Sequence, residues 1–145
     1  MTADESPQGP MDGAARPEIL ARWKSLRDAV VSELRAVGLP AEPAWSGEPE
    51  SEEPCTGVLV NVNPAADVGG VQITWCQPIE RLTRIADSYQ AGEPAESMVT
   101  RYGRVDEVLT TAAVLVLALA GYGVAPARLP YSTMEYDVLH GPDAI

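Results

Sequence analysis

The sequence predicts a small single α+β domain. An antiparallel β-hairpin, extended by one or two C-terminal strands, is expected to pack against an N-terminal amphipathic helix, a short middle helix and a strongly apolar last helix. Three observations carry this prediction. Ile19, Trp23, Leu26, Val30, Leu34 and Val37 recur every three or four residues, as on one face of a helix. The runs GVLVNVN and GVQITWCQ alternate with a period of two, as in half-buried strands. Residues 112–120 contain no polar side chain.

Taken in order, residues 1–16 are rich in Pro, Gly, Asp and Ser without apolar periodicity, which reads as a flexible acidic tail ahead of a domain at 17–145. Pro17 suits a first helical turn, because the amide hydrogen it lacks would be unpaired there anyway. Gly38, followed by Leu39-Pro40, is a stop signal. In this helix Arg22, Lys24, Arg27, Asp28, Glu33 and Arg35 fall outside the apolar stripe. Residues 40–56 read as an acidic Pro/Glu-rich loop carrying Glu42, Glu48, Glu50, Glu52 and Glu53 and no basic residue, with Trp45 folding back over the edge of the core.

The hairpin follows. Val58, Val60 and Val62 share one face of its first strand, and Val71, Ile73 and Trp75 share one face of its second. Pro64 and Gly69-Gly70 mark the turn between them. A loop centred near Ala66-Asp67 places Val58 across from Trp75 and Val62 across from Val71. A second helix opens at Pro78 on the spacing Ile79, Leu82, Ile85, Ala86 and Tyr89, and Gly92-Glu93-Pro94 ends it. Residues 93–103 fit either a separate turn or the start of the next helix. The last helix is expected from Arg104 to Ala120 with Gly121 as its stop, and 121–126 and 132–139 look extended.

The run TTAAVLVLALAG is too short for a membrane span, which needs about 20 apolar residues. A helix apolar on every side should be covered on every side. Either it lies between the sheet and the first helix, or Leu115 and Leu119 face outward and a second copy in a homodimer covers them.

A formal charge of −11 and a pI near 4.4 argue against nucleic-acid binding, which rests on Lys and Arg at phosphates. One lysine beside nine arginines, with abundant Ala, Val, Pro and Gly, is the usage expected of a GC-rich bacterial gene. No secretory or lipidation signal is legible, so the expected location is cytoplasmic, with Cys55 and Cys76 reduced although the hairpin brings them to one end. His140 is the single histidine, and with Asp137 and Asp143 it makes too thin a set for a metal. No G-x-S-x-G, H-E-x-x-H, P-loop or G-x-G-x-x-G motif occurs.

Asp106-Glu107 read as first-turn residues that complement the helix dipole. Arg101 and Arg104 either bind an anion or pair with Glu96, Asp106 or Glu107. The function expected is therefore a non-catalytic, acidic protein–protein interaction module, of the adaptor, chaperone or inhibitor kind, with no cofactor and no metal. Its expected contact residues are Trp45, Glu48, Glu50, Glu52 and Glu53, facing a partner of basic character. The alternatives are a homo-oligomeric assembly component and a small enzyme with a carboxylate–arginine pocket.

Overall fold

The computed structural model describes residues 13–53, 57–76, 79–93, 96–127 and 135–142. Its elements are α1 (Pro17–Ala36), β1 (Ala41–Trp45), β2 (Glu48–Pro49), β3 (Gly57–Asn63), β4 (Gly70–Cys76), α2 (Ile79–Gln90), α3 (Glu96–Leu119), β5 (Gly123–Pro126) and β6 (Tyr136–His140). The strands form one mixed sheet in the order β2-β1-β3-β4-β6-β5, as an α+β domain requires. The pairing of β1 with β3 is parallel and the other pairings are antiparallel.

The hairpin carries the expected register, with Val58 opposite Trp75 and Val62 opposite Val71. Its valine face is buried against Val30, Val31 and Leu34 of α1 and Ala113 and Leu117 of α3. The other face, with Leu59, Asn61, Gln72 and Thr74, is half-buried and carries no helix among the described residues. One helical layer on one side of a sheet leaves the opposite side polar, and the alternation in the two strands encodes that.

All three predicted helix stops are Schellman motifs, that of α2 at Gly92 (φ 76°) with the Glu93 amide donating to the Ser88 carbonyl at 2.9 Å. Gly38 has φ +92° and Gly121 has φ +97°. The next amide donates back across each end, from Leu39 to the Leu34 carbonyl at 3.0 Å and from Tyr122 to the Leu117 carbonyl at 2.9 Å.

Three expectations are corrected. Residues 40–56 are not all loop, because Ala41–Trp45 pairs with β3 and turns through Ser46 (φ 54°) and Gly47 (φ 88°) into β2. Two consecutive positive φ values define the tight turn that matches strand twist, and Asn61 Oδ1 secures it by accepting from the Gly47 amide at 2.8 Å. Residues 13–16, placed in the tail by composition, are anchored. Ala14 bridges Ala65, and the Ala15 amide donates to the Pro64 carbonyl at 2.7 Å. The last helix begins at Glu96, the helical one of the two readings of this stretch, and Asp106 and Glu107 therefore lie in its middle rather than in its first turn. Of the two arrangements left open for this helix, the one with an outward side holds within the chain. Tyr102, Asp106, Thr110, Ala113 and Leu117 are buried, while Leu115 and Leu119 face outward. Among the described residues no helix is long and apolar enough to cross a membrane.

Candidate functional site

Four turns of α3 present an apolar strip to solvent. Leu119 is 89% exposed, Val108 67%, Leu115 56% and Val105 38%. With the partly buried Ala112 they recur at intervals of three and four residues, the a/d spacing of a helix that packs on another helix. Leaving a Val or Leu in water forgoes roughly 1.5–3 kcal/mol relative to burying it, so a contiguous row of them is costly to leave in solvent. Two hollows lie along the strip. One is centred on Val105 and bounded by Arg101, Arg104, Val108 and Leu109. The other is centred on Ala112 and bounded by Glu107, Val108, Thr111 and Leu115.

The middle helix repeats the inversion. Its sequence stripe would normally face the core, yet Leu82 is 50% and Tyr89 67% exposed. What α2 turns inward is mostly polar, with Ile85 half-buried between Arg81 and Ser88. Arg81 pairs with Asp106, which is only 1% exposed, and Ser88 is buried beside it on the inward side. The Arg81 guanidinium also lies 4.8 Å from the centre of the Tyr102 ring, and that of Arg101 lies 5.7 Å from it. Arg84 Nη1 donates to the Tyr102 hydroxyl at 3.3 Å. This polar clasp holds α2 on α3 and leaves the apolar sides of both helices open.

The hydrogen bond from Arg84 lowers the Tyr102 phenol below its ordinary pKa; burial opposes the effect, and the nearby charges of Arg84 and Arg101 add to it. Ultraviolet titration is expected to show an upward shift of one tyrosine in Arg84→Gln. An unchanged titration curve would mean that this hydrogen bond is not formed in solution.

The residues singled out from sequence are dispersed. Trp45 ends β1 and packs partly buried against the core, as expected. Glu50 is bound at 2.8 Å by Arg27 of α1, whereas Glu48, Glu52 and Glu53 are exposed along the β2 edge. Charge on a two-residue edge strand also discourages unwanted strand pairing. Arg101 and Arg104 pair with none of Glu96, Asp106 and Glu107 among the described residues. Arg101 stacks on Tyr102, and Asp106 is taken by Arg81. Arg27, read from sequence as lying outside the helix stripe, is almost wholly buried.

The open face of the sheet has a hollow of about 180 Å³ lined by Gly47, Leu59, Asn61, Gln72, Thr74 and Glu135. Glu135 is its one ionisable group among the described residues, and the Asn61 side-chain carbonyl already accepts from the β1–β2 turn. That arrangement offers no paired acid and base. His140 is exposed, with Nδ1 2.8 Å from the Gly141 carbonyl, while Asp137 is buried, so the two do not converge on a common point. Asp143 lies outside the described residues. Cys76 is a free thiol and Cys55 lies outside the described residues. Among the described residues no group of three or more His, Cys, Asp or Glu could hold a metal ion. Compared with protein-family models, curated proteins and solved structures, the chain matches none.

Proposed function

We propose that this protein is a non-catalytic protein-binding module that engages its partner through the outer faces of α2 and α3. The observation that carries the reading is the inversion of α2. A short helix with a strong apolar stripe normally buries that stripe, and here Arg81 and Ser88 take the inward positions while Leu82 and Tyr89 are left outside. The exposed strip of α3 extends the same character along 105–119. Apolar, aromatic and arginine side chains on one surface are the composition of an interface core. The acidic edge at Glu48, Glu52 and Glu53 contributes charge and solubility in this reading, and a partner of basic character is not needed.

Site-directed variants separate the two surfaces. Leu115→Glu and Leu119→Glu are expected to shift stability by no more than about 0.5 kcal/mol, because the side chains are outside the core. The same changes are expected to remove the proteins that wild type captures from its native lysate. The triple change of Glu48, Glu52 and Glu53 to Gln is expected to leave capture intact. Capture that survives the leucine variants and fails with the glutamine variant would reject the helical surface and restore the acidic edge.

A further inference from the structure

We infer that the α3 strip is covered by a second copy of this chain, with the two α3 helices packed antiparallel about a two-fold axis. The inference rests on the interaction surface proposed above and names its occupant. The strip has the form that a helix accepts. Positions 101, 104, 105 and 108, with Leu109, line one hollow, and 108, 111, 112 and 115, with Glu107, line the next, one heptad further along. Four residues at i, i+3, i+4 and i+7 are the hole into which a facing helix inserts one side chain. The second hollow has a small residue, Ala112, at one of its corners, which leaves room for a facing side chain. The side chain available to fill it is Leu115 of the other copy, and two-fold symmetry makes that exchange reciprocal. The same register places Val108 against the partner's Leu119, which is the most exposed apolar residue of the strip.

Charge selects the orientation. The last turn of α3 carries no basic residue to balance its negative end. Arg101 and Arg104 stand instead at the other end of the strip, exposed and without an ion pair among the described residues. Antiparallel packing carries Arg104 to the C-terminal end of the partner's α3, where a cation is favourable. Parallel packing would set Arg104 beside Arg104 and Glu107 beside Glu107. The chain as a whole repels its own copy at a net charge of −11, but the flanks of the strip, Arg101, Arg104 and Glu107, are net positive. The acidic body of the second copy is therefore attracted to this surface locally. Two heptads make a short seam, smaller than the roughly 800 Å² per partner of a standard interface, so a concentration-dependent dimer is expected rather than an obligate one.

Sedimentation equilibrium of the full chain should show monomer and dimer in exchange. Leu115→Glu and Arg104→Glu should each weaken association at least tenfold while circular dichroism and unfolding midpoint are kept. In a Cys55→Ser, Cys76→Ser background, Ala112→Cys mixed with Leu115→Cys should form the mixed disulfide in excess over either homodimer. Predominance of the two homodimers would mean parallel packing and would overturn the inference. A wild-type chain that stays monomeric at the highest soluble concentration would overturn it too. If that monomer still loses its captured proteins on Leu115→Glu, the second copy is the wrong occupant and the binding-module reading stands. If the captured proteins are unaffected, both fail.

Discussion

Arg27→Ala is expected to destabilise the protein by about 3 kcal/mol in urea unfolding, the loss typical of breaking a buried charged network from one side. The Arg27 side chain is 2% exposed, yet its guanidinium is paired on every side. Nη1 donates to the Ala44 carbonyl at 3.0 Å and to Glu50 at 2.8 Å, and Nε donates to Asp28 at 2.9 Å. It thus ties α1 to β1 and to the segment just after β2. Truncation leaves the Ala44 carbonyl without this donor and opens a void beneath the sheet edge. The loss should fall first on β1 and β2, whose amides are expected to exchange faster while β3 and β4 keep their protection. Arg27→Lys should recover only part of the stability, because an ammonium group cannot span three acceptors in a planar fork. Glu50→Gln should cost much less, since the Glu50 side chain is 45% exposed and Asp28 still faces the guanidinium. A change below about 1 kcal/mol for Arg27→Ala would show that the network contributes no net stability.

This network also shows where sequence pattern stops being informative. Hydrophobic periodicity located α1 and the β3–β4 hairpin, and turn chemistry placed the hairpin register on the observed pairs Val58–Trp75 and Val62–Val71. The same method passed over β1, because AEPAW has no clean alternation and contains a proline. Pro43 is tolerated there since β2 pairs only with Ala44 and Trp45, so no neighbouring strand on that side requires its missing amide. Ser46-Gly47 was the local signal for the turn, hidden within a stretch that composition marked as loop. Arg27 was assigned to solvent because a lone residue letter does not reveal three acceptors supplied by distant segments.

The start of α3 stayed open in the sequence for a related reason. Between Glu96 and Arg104 only Tyr102 is buried, with Met98 half-buried, and the first apolar run begins only further along. The outward strip was legible as a list of apolar residues but not as a face, since an all-apolar stretch has no polar side to orient it. Which way α2 turns could not be read at all. Its stripe points Leu82 and Tyr89 inward by default, and only the buried carboxylate on α3 reverses that choice.

Asp106→Ala tests the reversal directly and is expected to cost about 3–5 kcal/mol in the docking of α2, because it strands a cation that was buried with its partner. The Arg81 side chain is only 17% exposed, and its guanidinium lies over the Tyr102 ring. The expected response is local. Amides of α2 should lose most of their hydrogen-exchange protection, while the sheet, α1 and the half of α3 that carries Ala113 and Leu117 stay protected. Replacing the pair together, Arg81→Met with Asp106→Leu, should restore docking, since an apolar pair of similar volume removes the desolvation penalty from both sides. Neither substitution touches a residue of the outer surface. Asp106→Ala should nevertheless reduce partner capture, because Leu82 and Tyr89 depart with α2, and the apolar pair should bring capture back. Protection of α2 that survives Asp106→Ala would mean that Ser88 and Ile85 hold the helix without the ion pair. The outward stripe would then owe its orientation to packing rather than to charge.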